Sequence, residues 1–265
     1  MDKQKSVNTR ILLKSVEDLD SLDLESFKMF DCIIHLAAET DVANTTGNIE
    51  DFYRLNLVPT MKMIEVATNL HIPLIFPSST SVYDHSGREL GESAVIHRPT
   101  TPYAQCKLKE ENLMKNFFAA GGKGVILRLG TIHGFSKGMK FHTAVNRILL
   151  QVARKEEITI WKTAFWQLRP YLSLKDLTSA MELIIRNEKF DGETYNLATD
   201  HYTIENLIKV IQQTIKTPVS SKFVESTSMN NLSFTVSTKK IENLGLQFMG
   251  SLASDVREIF LRLGI

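Results

Sequence analysis

The stretch DCIIHLAAE at 31–39 is a continuous apolar run closed by small residues. Such a run is the pattern of a strand buried on both faces, not the alternation of a half-exposed one. Two more runs of this texture follow, IPLIFPSS at 72–79 and GKGVILRLG at 122–130. Between the first pair lies DFYRLNLVPTMKMIEVATNL (51–70), with Leu57, Met61, Ile64 and Ala67 or Thr68 at helical spacing. Pro59 is expected to bend this helix or to sit near its start. Between the second pair, TPYAQCKLKEENLMKNFFAA (101–120) repeats the helical spacing with Leu108, Leu113, Phe117 and Phe118. Pro102 fits a helix's first turn, and Thr100 or Thr101 can cap it. Buried strands alternating with helices predict an α/β fold with a parallel, doubly wound sheet. Ahead of them RILLKSV (10–16) is a short strand candidate, followed by a polar, helical stretch to Phe30.

Past residue 135 the texture changes. FHTAVNRILLQVARKE (141–156) reads as a helix, EITIWK and RPYLSL as short strands, and KDLTSAMELIIRNE (175–188) as a helix with Asp176 as its cap. GETYNLAT (192–199) reads as a strand, and TIENLIKVIQQTI (203–215) as a helix capped by Thr203. The end of the chain reads as a small helical lobe. Two segments are therefore expected: 1–135, carrying the sheet, and 136–265, returning to the sheet and forming a smaller α+β lobe for substrate.

The bulk composition restricts the partners. A net charge of +1 with no basic block gives no reason to expect nucleic acid or an acidic membrane surface. The two cysteines, Cys32 and Cys106, form neither a disulfide framework nor a metal spacing and read as packed thiols. No metal site is expected. No apolar run is long enough to span a bilayer, and the start MDKQKSVNTR has no signal-peptide core, so a cytoplasmic location is expected.

In an open parallel sheet, ligands bind beyond the carboxyl ends of the strands. Three strand ends carry suitable residues: His35 to Ala38, Ser78 to Ser81, and Arg128 to Thr131. The helix that follows the second of them puts Tyr103 and Lys107 four residues apart, on one face. A lysine charge lowers the pKa of a nearby phenol, which lets Tyr103 exchange protons near neutral pH. A strand-end hydroxyl, a tyrosine and a lysine together make a proton-transfer group.

These segments, in this order, resemble the extended short-chain dehydrogenase/reductase family, the NAD-dependent epimerases and dehydratases. HLAA (35–38) is similar to the family's strand-end motif beside the cofactor pyrophosphate, and the Asn56 helix to its N-x-x-G-T helix. PSSTSVYD (77–84) resembles S-S-x-x-V-Y-G, and PYAQCK resembles P-Y-x-x-S-K. ILRLGTIHG (126–134) resembles R-x-x-N-V-Y-G, and LRPYLSLKDLTSAM (168–181) resembles the segment holding a diphosphate-binding arginine. YNLAT (195–199) resembles the late Y-N-[VIL]-G strand. The likeness covers about residues 10–215 and implies a Rossmann-like fold.

The resemblance implies roles residue by residue. Ser79 would be the catalytic hydroxyl, Tyr103 the acid/base, and Lys107 its partner and the ribose anchor. Leu36, Ala37, Ala38, Asn56 and Leu129 would join Tyr103 and Lys107 around NAD or NADP. Thr80, Ser81, Thr131 and Arg169 would face a nucleotide-sugar, with Arg169 on its diphosphate. Thr131 replaces the family's asparagine and His133 its tyrosine; His133, like His35, is expected to be structural. Family dehydratases place Asp-Glu after the catalytic threonine, whereas this chain has Ser81 after Thr80. Without that carboxylate pair, epimerisation or keto-sugar reduction is expected, not 4,6-dehydration.

One departure is larger. The family begins with a strand, the loop G-x-x-G-x-x-G and a helix whose N-terminus holds the pyrophosphate. No glycine occurs among residues 1–34. RILLKSV followed by Glu17 and Asp18 resembles the family's third strand, so an N-terminally truncated sheet is expected. The truncation could be natural, made good by another chain, or a start placed too late. The edge strand Cys32–Leu36 is then expected to be covered by Arg10–Val16 moving inward, or by a homodimer or another chain. The alternative function is a cofactor-free remnant that binds a nucleotide-sugar or a protein.

Overall fold

A computed structural model describes residues 14–19, 27–40, 49–216, 218–225 and 232–263. In chain order its first half contains β1 (Ile33–Ile34), α1 (Ile49–Leu70), β2 (Leu74–Ser79), β3 (Gly87–Leu90), α2 (Pro102–Ala119), β4 (Gly124–Leu129) and β5 (Thr131–His133). The second half adds α3 (Ala144–Ala153), β6 (Ile158–Trp161), β7 (Arg169–Ser173), α4 (Leu174–Arg186) and β8 (Thr194–Leu197). It ends with β9 (Asp200–Tyr202), α5 (Ile204–Ile215), β10 (Ser221–Val224), β11 (Phe234–Val236), α6 (Lys239–Glu242) and α7 (Leu252–Leu263).

The main sheet has the order β1-β2-β4-β8, and every pairing in it is parallel. Alternate side chains of its strands go to opposite faces, as the pleat requires. Leu74, Phe76 and Ile126 face α1 and α2 and pack on Met63, Val66, Ala67, Met114 and Phe117. Ile75, Val125 and Leu127 face α4 and pack on Leu177, Ala180, Met181 and Ile184. Burying one such side chain contributes about 1.5–3 kcal/mol, so both faces are firmly held. Helices on both faces of a parallel sheet make this a Rossmann-like, doubly wound α/β fold, as the strand runs predict.

Smaller sheets surround the carboxyl ends of these strands. They are β5-β7-β9, β6-β10 and β3-β11. A second core, beneath the β6 side, joins Ile148 and Leu149 of α3, Ile158 and Ile160 of β6, Leu207 and Ile211 of α5, and Val256 and Ile259 of α7. Gly130 lets the chain pass from β4 to β5 here. A Cβ at that position would lie 3.0 Å from the carbonyl carbon and oxygen of Pro170.

Several sequence expectations need correction. Of RILLKSV, residues 10–13 lie outside the described residues, while Lys14 and Ser15 are irregular and Val16 opens a short 3-10 turn, Val16–Asp18. Residues 20–26 of the polar stretch also lie outside them. Among the described residues β1 pairs with β2 alone. It is therefore not buried on both faces: Ile34 is 36% and Leu36 65% exposed. In α1 the buried stripe runs through Phe52, Asn56, Pro59, Thr60, Met63 and Val66, and Met61 is 56% exposed. Pro59 sits inside the helix. Asp176 is not the cap of α4, since Ser173 accepts from the Lys175 N–H there. Asp176 is fully buried and binds the C-terminal segment, accepting from Met249 N at 2.8 Å, Gly250 N at 2.9 Å and Thr199 Oγ1 at 2.6 Å.

Candidate functional site

β2 ends at Ser79, whose extended backbone leads into the 3-10 turn Thr80–Val82; Ser79 Oγ accepts from Ser81 N at 3.1 Å. α2 starts nearby. Thr101 Oγ1 caps it by accepting from Ala104 N at 3.2 Å, and Pro102 occupies the first turn, where its missing N–H costs nothing. Tyr103 is thereby fixed at the helix start. It sits deep in a cleft, surrounded by protein yet reached by solvent, with Ser79 near enough to favour the charged form of its phenol.

Lys107 lies one turn further on, in the protein rather than at the cleft wall. Its ammonium rests over the Phe76 ring, 4.9 Å from the centroid, and 2.9 Å from Glu110 Oε2. Glu110 Oε1 accepts from Thr60 Oγ1 at 2.7 Å, and His35 Nε2 is 3.1 Å from that same oxygen. Thr60 has one hydroxyl proton and spends it on the carboxylate, so the His35 contact requires an N–H on Nε2. Burial, with the Lys107 charge second, lowers the His35 pKa to about 4 and keeps the ring neutral.

The phenol does not behave as the Tyr103–Lys107 spacing alone predicts. Burial raises the Tyr103 pKa, and this outweighs the lowering by the Lys107 charge and the Ser79 hydrogen bond; Glu110 and Cys106 raise it further. The direction is upward from the ordinary value, so lysine alone does not bring this tyrosine towards neutral pH.

The cleft is a cavity of about 770 Å³ beyond the carboxyl ends of β1, β2 and β4. Among the predicted residues, Leu36, Ala38, Ser79, Thr80, Ser81, Tyr103, Leu129, Thr131 and Arg169 line it, and Ala37, Asn56 and Lys107 do not. Asn56 is occupied by the backbone: its Oδ1 accepts from Glu39 N at 3.0 Å and its Nδ2 donates to Phe52 O at 2.9 Å. It thus shapes the chain after β1 from behind.

Three cationic side chains, Lys140, Arg147 and Arg169, line the cavity, and no carboxylate does among the described residues. Arg147 stacks on Trp161, its guanidinium carbon 4.9 Å from the ring centroid. Arg169 donates to Gln167 Oε1 at 3.0 Å and lies over the Phe234 ring. Burial lowers the pKa of both guanidinium groups, which nonetheless stay charged. Lys140 Nζ donates to Thr40 Oγ1 at 3.2 Å, linking the β6 side of the cavity to the segment after β1.

Sequence reasoning missed Glu110, Thr60, Arg147 and Trp161. The i to i+3 spacing of Lys107 and Glu110 was the available signal for one of them. His133 is packed as expected, its Nδ1 2.7 Å from Asp255 Oδ2, an oxygen that also accepts from Ser173 Oγ at 2.8 Å. Cys106 is buried and Cys32 half-buried, both as free thiols. Among the described residues no group of His, Cys, Asp and Glu is arranged to hold a metal, and no helix is long and apolar enough to cross a membrane.

The model of the NAD dependent epimerase/dehydratase family matches residues 4–198. The chain belongs to this family. It is 28% identical over 205 residues to a dTDP-D-glucose 4,6-dehydratase of Dictyostelium discoideum, covering 71% of this chain and 46% of that protein. A UDP-glucose 4-epimerase of Streptomyces lividans is 26% identical over 169 residues, covering 59% of this chain and 51% of the epimerase. The chain thus spans about half or less of the length of these relatives. In fold it matches a UDP-glucuronic acid 4-epimerase of Bacillus cereus, solved with UDP-glucuronic acid and NAD. The TM-score is 0.83 at 20% identity, with 94% of this chain and 81% of that one covered.

The family is NAD-dependent, and towards such a cofactor the cavity offers apolar walls at Leu36, Ala38 and Leu129 and a hydroxyl at Tyr103. For the pyrophosphate, residues 1–34 offer no glycine to let backbone N–H groups approach.

Proposed function

We propose that this family member is an NAD(P)-dependent oxidoreductase acting on a nucleotide-sugar, of the epimerase or keto-sugar reductase type and not a 4,6-dehydratase. The observation that carries the reading is that Ser79 and Tyr103 stand together at the wall of a cavity, with Lys107 one helical turn further in, and that its charged lining among the described residues is cationic. Such a lining suits a diphosphate, held by Arg169 with Arg147. Thr80, Ser81 and Thr131 would face the sugar. Ser79 orients a sugar hydroxyl, and Tyr103, acting as a phenolate that the Lys107 charge stabilises, takes its proton and becomes the neutral phenol. A nicotinamide cofactor, when bound, supplies the hydride exchange; Leu36, Ala37, Ala38, Asn56, Leu129, Tyr103 and Lys107 are the residues proposed to position it. Elimination of water needs a carboxylate to protonate the leaving hydroxyl, and none lines the cavity among the described residues.

Titrating NAD(H) and NADP(H) into the purified chain tests the reading. Saturable binding at micromolar concentration supports it. No binding up to millimolar favours the second reading, a cofactor-free nucleotide-sugar or protein-binding module. A cytoplasmic location belongs to the proposal, as does a homodimer or another chain along β1, supported by the exposure of Ile34 and Leu36.

A further inference from the structure

Lys107 and Glu110 are both sealed from solvent, 4% and 0% exposed, in the layer between α1, α2 and the main sheet. Placing either charge there alone would cost several kcal/mol, so each needs the other. The sequence order, lysine before glutamate at i+3, is the poorer one for an isolated helix pair. What holds the pair is tertiary: Thr60 donates to the second carboxylate oxygen, and His35 donates to Thr60. The contact between Lys107 Nζ and Glu110 Oε2 is an ion pair at 2.9 Å without the angle of a well-formed hydrogen bond, which leaves the ammonium held chiefly by charge.

We propose that Glu110 is a positioning residue: its carboxylate, braced by Thr60 and His35, keeps Lys107 charged and in place one helical turn from Tyr103. Without it, the face of Phe76 is what remains among the described contacts to compensate for burying the ammonium. The other titratable or charged groups around the pair are Tyr103 and Cys106 on α2, Glu111, which is engaged by Arg128 of β4, and His35 beyond β1. His35 is neutral at pH 7, and Arg128 is bidentate on Glu111 at 2.9 and 2.8 Å, so neither takes over the role of Glu110. The catalytic meaning of this arrangement rests on the oxidoreductase reading; the ion pair itself does not.

The experiment reads Lys107 by nuclear magnetic resonance in chain with isotope-labelled lysine, the signal being assigned by its loss in Lys107→Met. In Glu110→Gln the Lys107 midpoint is expected to fall by about one unit or more, tenfold in proton affinity, and Glu110→Asp to recover part of that. A midpoint unchanged in Glu110→Gln overturns the proposal.

Should Glu110→Gln fail to fold, Lys107→Met is compared with Lys107→Met/Glu110→Gln by denaturant unfolding across pH. Burial already raises the folded-state pKa of Glu110 against the lowering by Lys107 and Thr60, and with Lys107 gone it lies further above the unfolded value. Stability is then full below about pH 4 and declines as pH rises through the folded value. The double variant is expected to lose that decline, and equal pH slopes in the two chains overturn the proposal. Neither readout involves a nicotinamide. A chain that binds none but shows the shifts would end the oxidoreductase reading alone; a chain that binds it without the shifts would end this one alone.

Discussion

A phenol that burial holds in its protonated form releases its proton only when the resulting charge meets a fixed cation and a donor. At Tyr103 these are Lys107 and Ser79. Tyr103→Phe removes the acid/base group but keeps the ring, so turnover is expected to fall by about 10²–10⁴ with ligand affinity nearly unchanged. Steady-state rates measured beside a binding titration check the two halves of that statement. His35 gives a second prediction at this scale. Its folded pKa, about 4, lies below its usual 6.5, so the unfolded chain takes up the proton first. The stability that neutral His35 contributes is complete above pH 6.5 and is lost as pH falls towards 4. At about 1.4 kcal/mol per unit, the loss reaches roughly 3 kcal/mol. Unfolding curves from pH 7 to 4 are expected to show this fall in the native chain and much less of it in His35→Gln.

The helices show how a sequence hides its polar core. Of the apolar residues Leu108, Leu113, Phe117 and Phe118 that suggested the buried stripe of α2, Phe117 is buried, but the rest of the buried face is Ala104, Cys106, Lys107, Glu110, Glu111 and Met114. Apolar periodicity cannot see it, because its charged members are satisfied by partners on other elements. Glu111, for instance, accepts both Nε and Nη2 of Arg128 together with Ser78 Oγ. Breaking one side of such a pair leaves a buried charge uncompensated, so Glu111→Gln is expected to cost about 3–5 kcal/mol of unfolding free energy, measured by denaturant titration. Strands β2 and β4 were legible for the opposite reason: with helices on both faces, almost every position is apolar. β1 looked equally apolar but has a neighbour on one side only among the described residues. Local signals were sound where the chemistry was local, as in the Thr101 and Thr203 caps.

For the molecule as a whole, long-range ties set what could be foreseen. Asp176 read as a cap because its acceptors' donors, Met249 and Gly250, lie more than 70 residues away, beyond any window. Each orphaned buried donor costs about 1–3 kcal/mol. Asp176→Ala is therefore expected to loosen the attachment of Leu252–Leu263, which amide hydrogen exchange would show as faster exchange in α7 than in the main sheet. The cavity was partly legible: strand ends pointed to Ser79 and Thr131 and the family resemblance to Arg169, whereas Arg147 and Trp161 come from elements with no such marker. Its charge has a consequence for the unliganded protein. Lys140, Arg147 and Arg169 line one cavity in a setting of reduced polarisability, so they push against one another, and folding has to overcome that repulsion. A polyvalent anion relieves it on arrival, and part of the free energy of capture is thereby drawn from tension already stored in the host.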